Sequence, residues 1–172
     1  LVCKIPNRLS EGYGPNLRLM NEMLNKNIKL LFTLDCGTSS FNIIDHPDFK
    51  NMDVIVIDHH LSELKLPKVH SLINPNRHDE DNQYKDFAAV GVTFLFLMAL
   101  RKSIRDSNLF LEKNEPNLMS YLDLVAVGTI CDIVNIKNYN RKTVLLAKRN
   151  CCCIHNLQTQ PNDFFKGNFW YK

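Results

Sequence analysis

Three residues able to bind metals or move protons, Asp58, His59 and His60, stand in a row directly behind four aliphatic residues in "DVIVIDHH". Asp35 occupies the matching place behind a second apolar run, "LLFTLDCG", and Asp132 stands in "VGTICD". Carboxylate and imidazole without a thiolate cluster form a donor set that suits manganese or magnesium better than structural zinc. Two divalent ions held about 3.5–4 Å apart lower the pKa of a shared water and clamp a phosphoryl group for in-line attack. Asp35 has two oxygens with which to bridge such a pair, and a histidine beside a ligating one is placed to donate to phosphate. Each piece alone has a plainer reading. An aspartate behind a strand is more often a turn or cap, adjacent histidines serve ordinary polar roles, and Asp132 has capping work available in a helix-to-strand turn. The joint occurrence of two strand-end acids and a strand-end histidine pair favours a metal-dependent site.

Other candidates are less specific. Arg8 and Arg77 both occur in "PNR" loops, where a forked guanidinium either meets solvent or binds phosphate. Gly91 in "AAVGVTF" does not complete a GxGxxG pattern, so a dinucleotide site has no support. It would still let a backbone approach a phosphate near a helix start. His46, His70, His78 and His155 lack partners at ligand spacing, and the triplet Cys151–Cys153 has no metal spacing either.

The elements that must position these residues are legible as blocks. "IKLLFTL", Ile28 to Leu34, and "DVIVI", Asp53 to Ile57, are nearly uninterrupted apolar runs, the pattern of strands buried on both faces of a parallel sheet. Ligands bind beyond the carboxyl ends of such strands. Parallel pairing would therefore bring Asp35 and Asp58-His59-His60 to one edge, with Asp132 folded back to it after a helix and a Gly-Thr turn. "LVCKI" reads as the end of a strand, "FNIIDHPDF" as a short helix and "HSLINPN" as a third strand. "NLRLMNEMLNKN" has helical spacing, with Pro15 in its first turn and Asn25–Asn27 as its end. "HDEDNQYKD" is a polar loop from which Asp86 would cap a largely apolar and hence central helix, "FAAVGVTFLFLMALRKSI". Pro116 would open the final helix, "NLMSYLDLVAVG", leading into "TICDIVNI". The alternation of strand and helix predicts an α/β fold with a mostly parallel sheet flanked by helices.

Bulk properties bound the rest. The 172 residues, 45% hydrophobic and 23% charged, suffice for a domain with a proper core and show no repeat or low-complexity tract. A formal charge of +3 permits an anionic partner without arguing for one. No eighteen-residue apolar stretch and no signal peptide are present, so the expected setting is cytoplasmic, away from membranes. The six cysteines form neither a disulfide framework nor a CxxC zinc pair, and buried free thiols in a reducing cytosol fit them. The chain opens on Leu1, and "LVCKIPNR" reads as the interior of a longer protein.

"IDHH" behind an apolar strand resembles the motif of the DHH phosphoesterases. "IPNRLSEGYGPN", "TLDCGTSS", "VIDHHL", "LINPNR", "AAVGVTFLFLMAL" and "LDLVAVGTICDIV" resemble, in the same order, segments of the RecJ-type single-strand-specific exonucleases of that family. The likeness runs from residue 1 to about residue 150. It implies a DHH phosphoesterase-like catalytic domain over 1–150 and an unassigned divergent tail over 151–172. It also implies 5′-to-3′ hydrolysis of single-stranded DNA by a two-metal mechanism with Mn2+ or Mg2+, in repair and recombination. A single-strand-binding protein or a repair helicase would be the protein partner. Carried over by motif, Asp35, His59 and Asp132 would be metal ligands, His60 a phosphate contact supported by Asp58, and Arg8, Arg77 and Gly91 substrate-binding residues. Ala89 and Asn135 depart from the usual "AGVGV" and "DVVPL" without removing a ligand. The family's DxDG-like first motif would lie ahead of Leu1, so the chain by itself is expected to be inactive or severely impaired. Alternative readings are another DHH phosphoesterase acting on oligonucleotides or cyclic dinucleotides, and a non-catalytic DNA-binding or scaffold protein.

Overall fold

The computed structural model describes residues 1–81, 84–110 and 115–148. They fall into two compact units that divide between Phe96 and Leu97. In the first unit, helix α1 (Leu17–Asn25) starts where the Asn16 side chain accepts from the Leu19 amide at 3.0 Å. Pro15 therefore precedes the cap and does not sit inside the first turn, contrary to the expectation above. Met20 and Met23 recur on one face and pack with Phe49 and Met52. Asn27, at φ 55°, turns the chain out of the helix.

Strands β1 (Leu30–Leu34), β2 (Asp53–Ile57) and β3 (Ser71–Ile73) form a sheet in that order, all parallel. The register sets Leu34 beside Ile57 and Ile57 beside Ile73, so the three strands end level. The link from β1 to β2 carries helix α2 (Phe41–Ile44) and a 3-10 turn, Pro47–Phe49, two pieces where one short helix was expected. Strand β2 is the one buried on both faces. Val54 and Val56 pack with Ile44 on one side, and Ile57 packs with Phe87 and Val92 on the other. Strand β1 is not so buried, because its alternate residues Leu30, Phe32 and Leu34 remain 40–53% exposed. Residues 1–7 form no strand; Leu1 and Ile5 stand in solvent with no ladder partner.

Helix α3 (Ala89–Asp106) buries Ala89, Gly91 and Val92 in its first turn, whereas Leu95, Leu97, Met98 and Leu100 are 38–43% exposed. It is thus anchored at its start and is not the central helix that its composition suggested. Asp86 lies two residues ahead of Ala88, the residue that precedes the helix.

In the second unit, the Asn117 side chain accepts from the Met119 amide and opens a 3-10 turn, Leu118–Tyr121, that runs into helix α4 (Leu122–Cys131). Pro116 again precedes the cap. Helix α4 passes straight through Gly128 and Thr129, where a turn was expected. The Thr129 hydroxyl donates back to the Val125 carbonyl at 2.7 Å, so the buried threonine is satisfied within the helix. No strand follows over 133–137. A further helix, α5 (Asn138–Lys148), packs Val144 and Ala147 against Ala126. Cys3 and Cys131 are exposed and Cys36 is half-buried, which corrects the expectation of buried thiols. Cys151–Cys153 and His155 lie outside the described residues. Among the described residues no helix is long and apolar enough to cross a membrane.

Candidate metal centre

The sheet delivers the candidate residues one position past its last ladder pair. The Asp35 amide donates to the Ile57 carbonyl at 2.9 Å, and the Asp58 amide donates to the Ile73 carbonyl at 3.0 Å. Asp35, Asp58 and Asn74 therefore follow the ends of three neighbouring strands. At Asp35 the chain enters the left-handed region, φ 61°, which is costly for a residue with a side chain and needs support from its surroundings. Support comes from the Tyr13 hydroxyl, which donates to the Asp35 carbonyl. Two residues on, Gly37 has φ 116°. A Cβ there would come within 2.7 Å of Thr33 Oγ1 and 3.2 Å of Val56 Cγ1, so the tight return under the sheet admits no larger residue without displacement.

Asp58 is 1% exposed, and its carboxylate is enclosed by donors. Oδ2 accepts from the Thr38 amide at 3.0 Å. Oδ1 accepts from the His59 amide at 2.8 Å and lies 2.7 Å from His60 Nδ1. Burial by itself would raise this carboxyl's pKa; the hydrogen bonds from His60, Thr38 and His59 outweigh it and hold the group below the usual aspartate range. Asp58 is thus a buried anion that orients the turn and the His60 ring.

His59 Nδ1 lies 3.1 Å from the Phe87 carbonyl, an oxygen that only accepts. Nδ1 therefore carries a proton, and Nε2 lies 3.4 Å from Asp35 Oδ1. A nitrogen and a carboxylate oxygen so placed are held together by a proton or a cation between them. The rings of His59 and His60 meet edge to face at 4.6 Å. One ligand atom from each of Asp35, His59 and His60 lies within 4.8 Å of the others. Cys36, beside the cluster, has Sγ 3.4 Å from the Leu34 carbonyl. Burial, with the Asp58 and Asp35 charges, pushes its pKa up to about 11, so it stays protonated. The convergent donors are oxygen and nitrogen, which fits a hard or borderline divalent cation such as Mn2+ or Mg2+.

The remaining candidates divide. The Arg8 guanidinium lies 5.5 Å from the centre of the Tyr13 ring, and that ring meets His60 edge-on at 5.7 Å, so Arg8 borders the cluster through Tyr13. Arg77 is already engaged: Nε and Nη2 meet the Asp79 carboxylate at 2.9 and 2.6 Å, and Nη1 donates to the Leu72 carbonyl at 3.0 Å. Gly91 is buried in the first turn of α3, and a Cβ there would meet Phe87 Cδ1 at 2.5 Å. Its place is explained by that ring contact. Asp132 belongs to the second unit, as the C-cap of α4.

Sequence reasoning passed over Thr38, Asn74, Asn76 and Tyr13. Asn74 Nδ2 donates to Thr38 Oγ1 and to the His60 carbonyl, both at 2.8 Å, and Asn76 Nδ2 reaches the His59 carbonyl at 2.5 Å. For Thr38, Asn74 and Asn76 the available signal was position, as polar residues in the turns that follow β1 and β3, the same strand-end rule that singled out Asp35; Tyr13, ahead of α1, carried no such signal.

Comparison with known proteins gives the family. Residues 2–129 match the model of the DHH family, N-terminal domain. Single-stranded-DNA-specific exonuclease RecJ of Haemophilus influenzae is 37% identical over 137 residues, covering 80% of this chain and 24% of the relative. The Escherichia coli protein of the same name is 40% identical over 139 residues, again 80% of this chain and 24% of its own length. The chain thus spans about a quarter of the length of these relatives. Among solved structures, exonuclease RecJ bound to manganese superposes with a TM-score of 0.70 at 31% identity, over 85% of this chain and 34% of that one. RecJ of Thermus thermophilus in complex with Mn2+ gives 0.62 at 28% identity, over 78% and 19%. With more than half of its residues inside the family model, the chain belongs to the DHH family.

Proposed function

We propose that this chain is part of the catalytic core of a RecJ-like exonuclease that hydrolyses single-stranded DNA with the help of Mn2+ or Mg2+, two ions in the complete site. The observation that carries the reading is the convergence of Asp35, His59 and His60 at the sheet edge, with one ligand atom of each within 4.8 Å of the others. The His59 ring is held through Nδ1 to the Phe87 carbonyl, which brings Nε2 to 3.4 Å from Asp35 Oδ1. Asp35 and His59 would hold the cation, and a divalent ion in that place supplies a Lewis acid that acidifies water and offsets phosphoryl charge. Asp58 accepts from His60 Nδ1 and so orients the ring, leaving Nε2 as the atom that meets a phosphoryl oxygen. The exposed guanidinium of Arg8, at the border of the cluster, would attract the DNA backbone. The names of the relatives support single-stranded DNA as substrate and manganese as metal. A role in repair and recombination, in the cytoplasm and alongside a single-strand-binding protein or helicase, extends the same reading.

The test uses the protein that carries this chain, 5′-labelled single-stranded DNA, duplex DNA and a dinucleotide, all with Mn2+. The reading expects preference for the long single strand, and a loss of about 100-fold or more in Asp35→Ala and His59→Ala. Full activity in either variant, or preference for the dinucleotide, contradicts it.

A further inference from the structure

The histidine pair lies beyond the sheet, and something must replace the ladder there. The last ladder-type bond on this side of β2 runs from the Asp58 amide to the Ile73 carbonyl. The carbonyls of His59 and His60, one and two residues on, have left the strand and still need donors in a partly buried setting. Both receive them from asparagine side chains of the third strand's exit, "NPN". Asn74 Nδ2 donates to the His60 carbonyl and Asn76 Nδ2 to the His59 carbonyl.

The turn that bears these two side chains is itself braced. Pro75 restricts Asn74 to an extended backbone. Asn74 Oδ1 accepts from the Asn76 amide at 2.8 Å, and its second amide hydrogen goes to Thr38 Oγ1. Asn74 is 4% exposed and Thr38 fully buried, so neither has water as an alternative partner. The Ser62 amide closes the far side of the loop on the Asn76 carbonyl at 3.3 Å. Asn76 Nδ2 also reaches the Lys85 carbonyl at 3.2 Å, two residues before the Phe87 carbonyl that takes the His59 Nδ1 proton. One amide group thereby ties the His59 backbone and the Phe87 segment to the same point.

We propose that Asn74 and Asn76 are positioning residues that extend the sheet by side chains and fix the orientation of His60 and His59. Neither touches the reacting atoms. Asn76 holds His59 in register with the Phe87 carbonyl and so keeps the Nδ1–Phe87 hydrogen bond that orients the ring. Asn74 holds the His60 backbone while Asp58 holds its ring. The metal consequence of this inference rests on the function proposed above; the orientation itself does not.

The experiment therefore has two arms on the full chain. In the metal-free chain, 15N shifts of the imidazoles report the His59 Nδ1–H hydrogen bond in wild type, Asn76→Ala, Asn76→Asp and Asn74→Ala. Asn16→Ala, which loses a helix cap in the same unit, serves as the control for stability alone. The expected result is one hydrogen-bonded Nδ1–H signal in wild type and Asn16→Ala, and its loss or averaging in both Asn76 variants. In the second arm Mn2+ alone is titrated and free ion is read by electron paramagnetic resonance. Asn76→Ala and Asn74→Ala should weaken binding by about 10-fold or more, and Asn16→Ala by no more than about twofold. An unchanged His59 Nδ1–H hydrogen bond in both Asn76 variants overturns the inference, and the isosteric Asn76→Asp keeps this decisive if an alanine variant does not fold. Absence of Asp35-dependent Mn2+ binding in wild type overturns the proposed function instead, and the imidazole arm still decides the role of the asparagines.

Discussion

Replacing Asp58 by asparagine changes one atom and should cost a large part of the first unit's stability. The carboxylate accepts from the His59 and His60 amides and His60 Nδ1 through Oδ1, and from the Thr38 amide through Oδ2. An asparagine keeps one oxygen for the His59–His60 side and turns its NH2 toward the Thr38 N–H, donor against donor. The charge-assisted bond lost there amounts to about 1.5–3 kcal/mol, and the stranded buried donor adds about 1–3 kcal/mol. The sum expected is roughly 3–5 kcal/mol, to be compared with a typical domain stability of about 5–15 kcal/mol. With a urea slope of about 2 kcal/mol/M, the midpoint of the Asp58→Asn chain should fall by roughly 1.5–2.5 M at pH 7. The pH dependence has a fixed sign. A carboxyl whose folded pKa is depressed contributes stability above its unfolded value, about 3.9, and loses it as pH falls through the folded value. The gap between wild type and Asp58→Asn should therefore be full at pH 6–7 and narrow below about pH 4. A midpoint shift under about 0.3 M, or a gap that widens in acid, would refute the view of Asp58 as a buried structural anion.

Two further outcomes follow from the turn behind β1. Gly37→Ala meets both a left-handed backbone and a 2.7 Å approach to Thr33 Oγ1, whereas Gly12→Ala, at φ 79°, meets nothing within 4 Å. Thermal unfolding should show the Gly37 variant lowered by roughly 5–15 °C and more than the Gly12 variant; equal midpoints would remove the packing argument. Cys36, with its pKa pushed to about 11, should react with iodoacetamide at pH 8 far more slowly than exposed Cys3 and Cys131. Peptide mapping that finds equal labelling at the three sites would place Cys36 in a different environment.

The parts of the fold that were legible are those where residue pattern and position carry one message. "DVIVI" ends in DHH, and strand and polar turn fall where the pattern put them, because a doubly buried strand needs aliphatic residues and its exit does not. The same reasoning placed Asp35 correctly yet overstated the burial of β1, whose apolar run does not distinguish a covered face from an open one. Gly128-Thr129 reads as a turn, but a threonine that satisfies its hydroxyl on the preceding turn is compatible with helix, and Gly128 lies in its interior. The asparagines of "NPN" were read past for a related reason. Asparagine beside proline signals a turn, and nothing local tells which distant carbonyls its amide will meet. The strand-end places of Asp35, His59 and His60 were therefore readable, while the side chains that hydrogen-bond around them emerge only from the parallel register.

The central claim is that Asp35 and His59 hold a divalent cation in this fold, and Mn2+ titration of the chain tests it most directly. Free Mn2+ followed by electron paramagnetic resonance should fall as wild-type chain is added, with Mg2+ competing for the same site. Asp35→Ala and His59→Ala should each raise the Mn2+ Kd at least about 10-fold while the chain remains folded. Binding of equal strength in wild type and both variants would contradict the account.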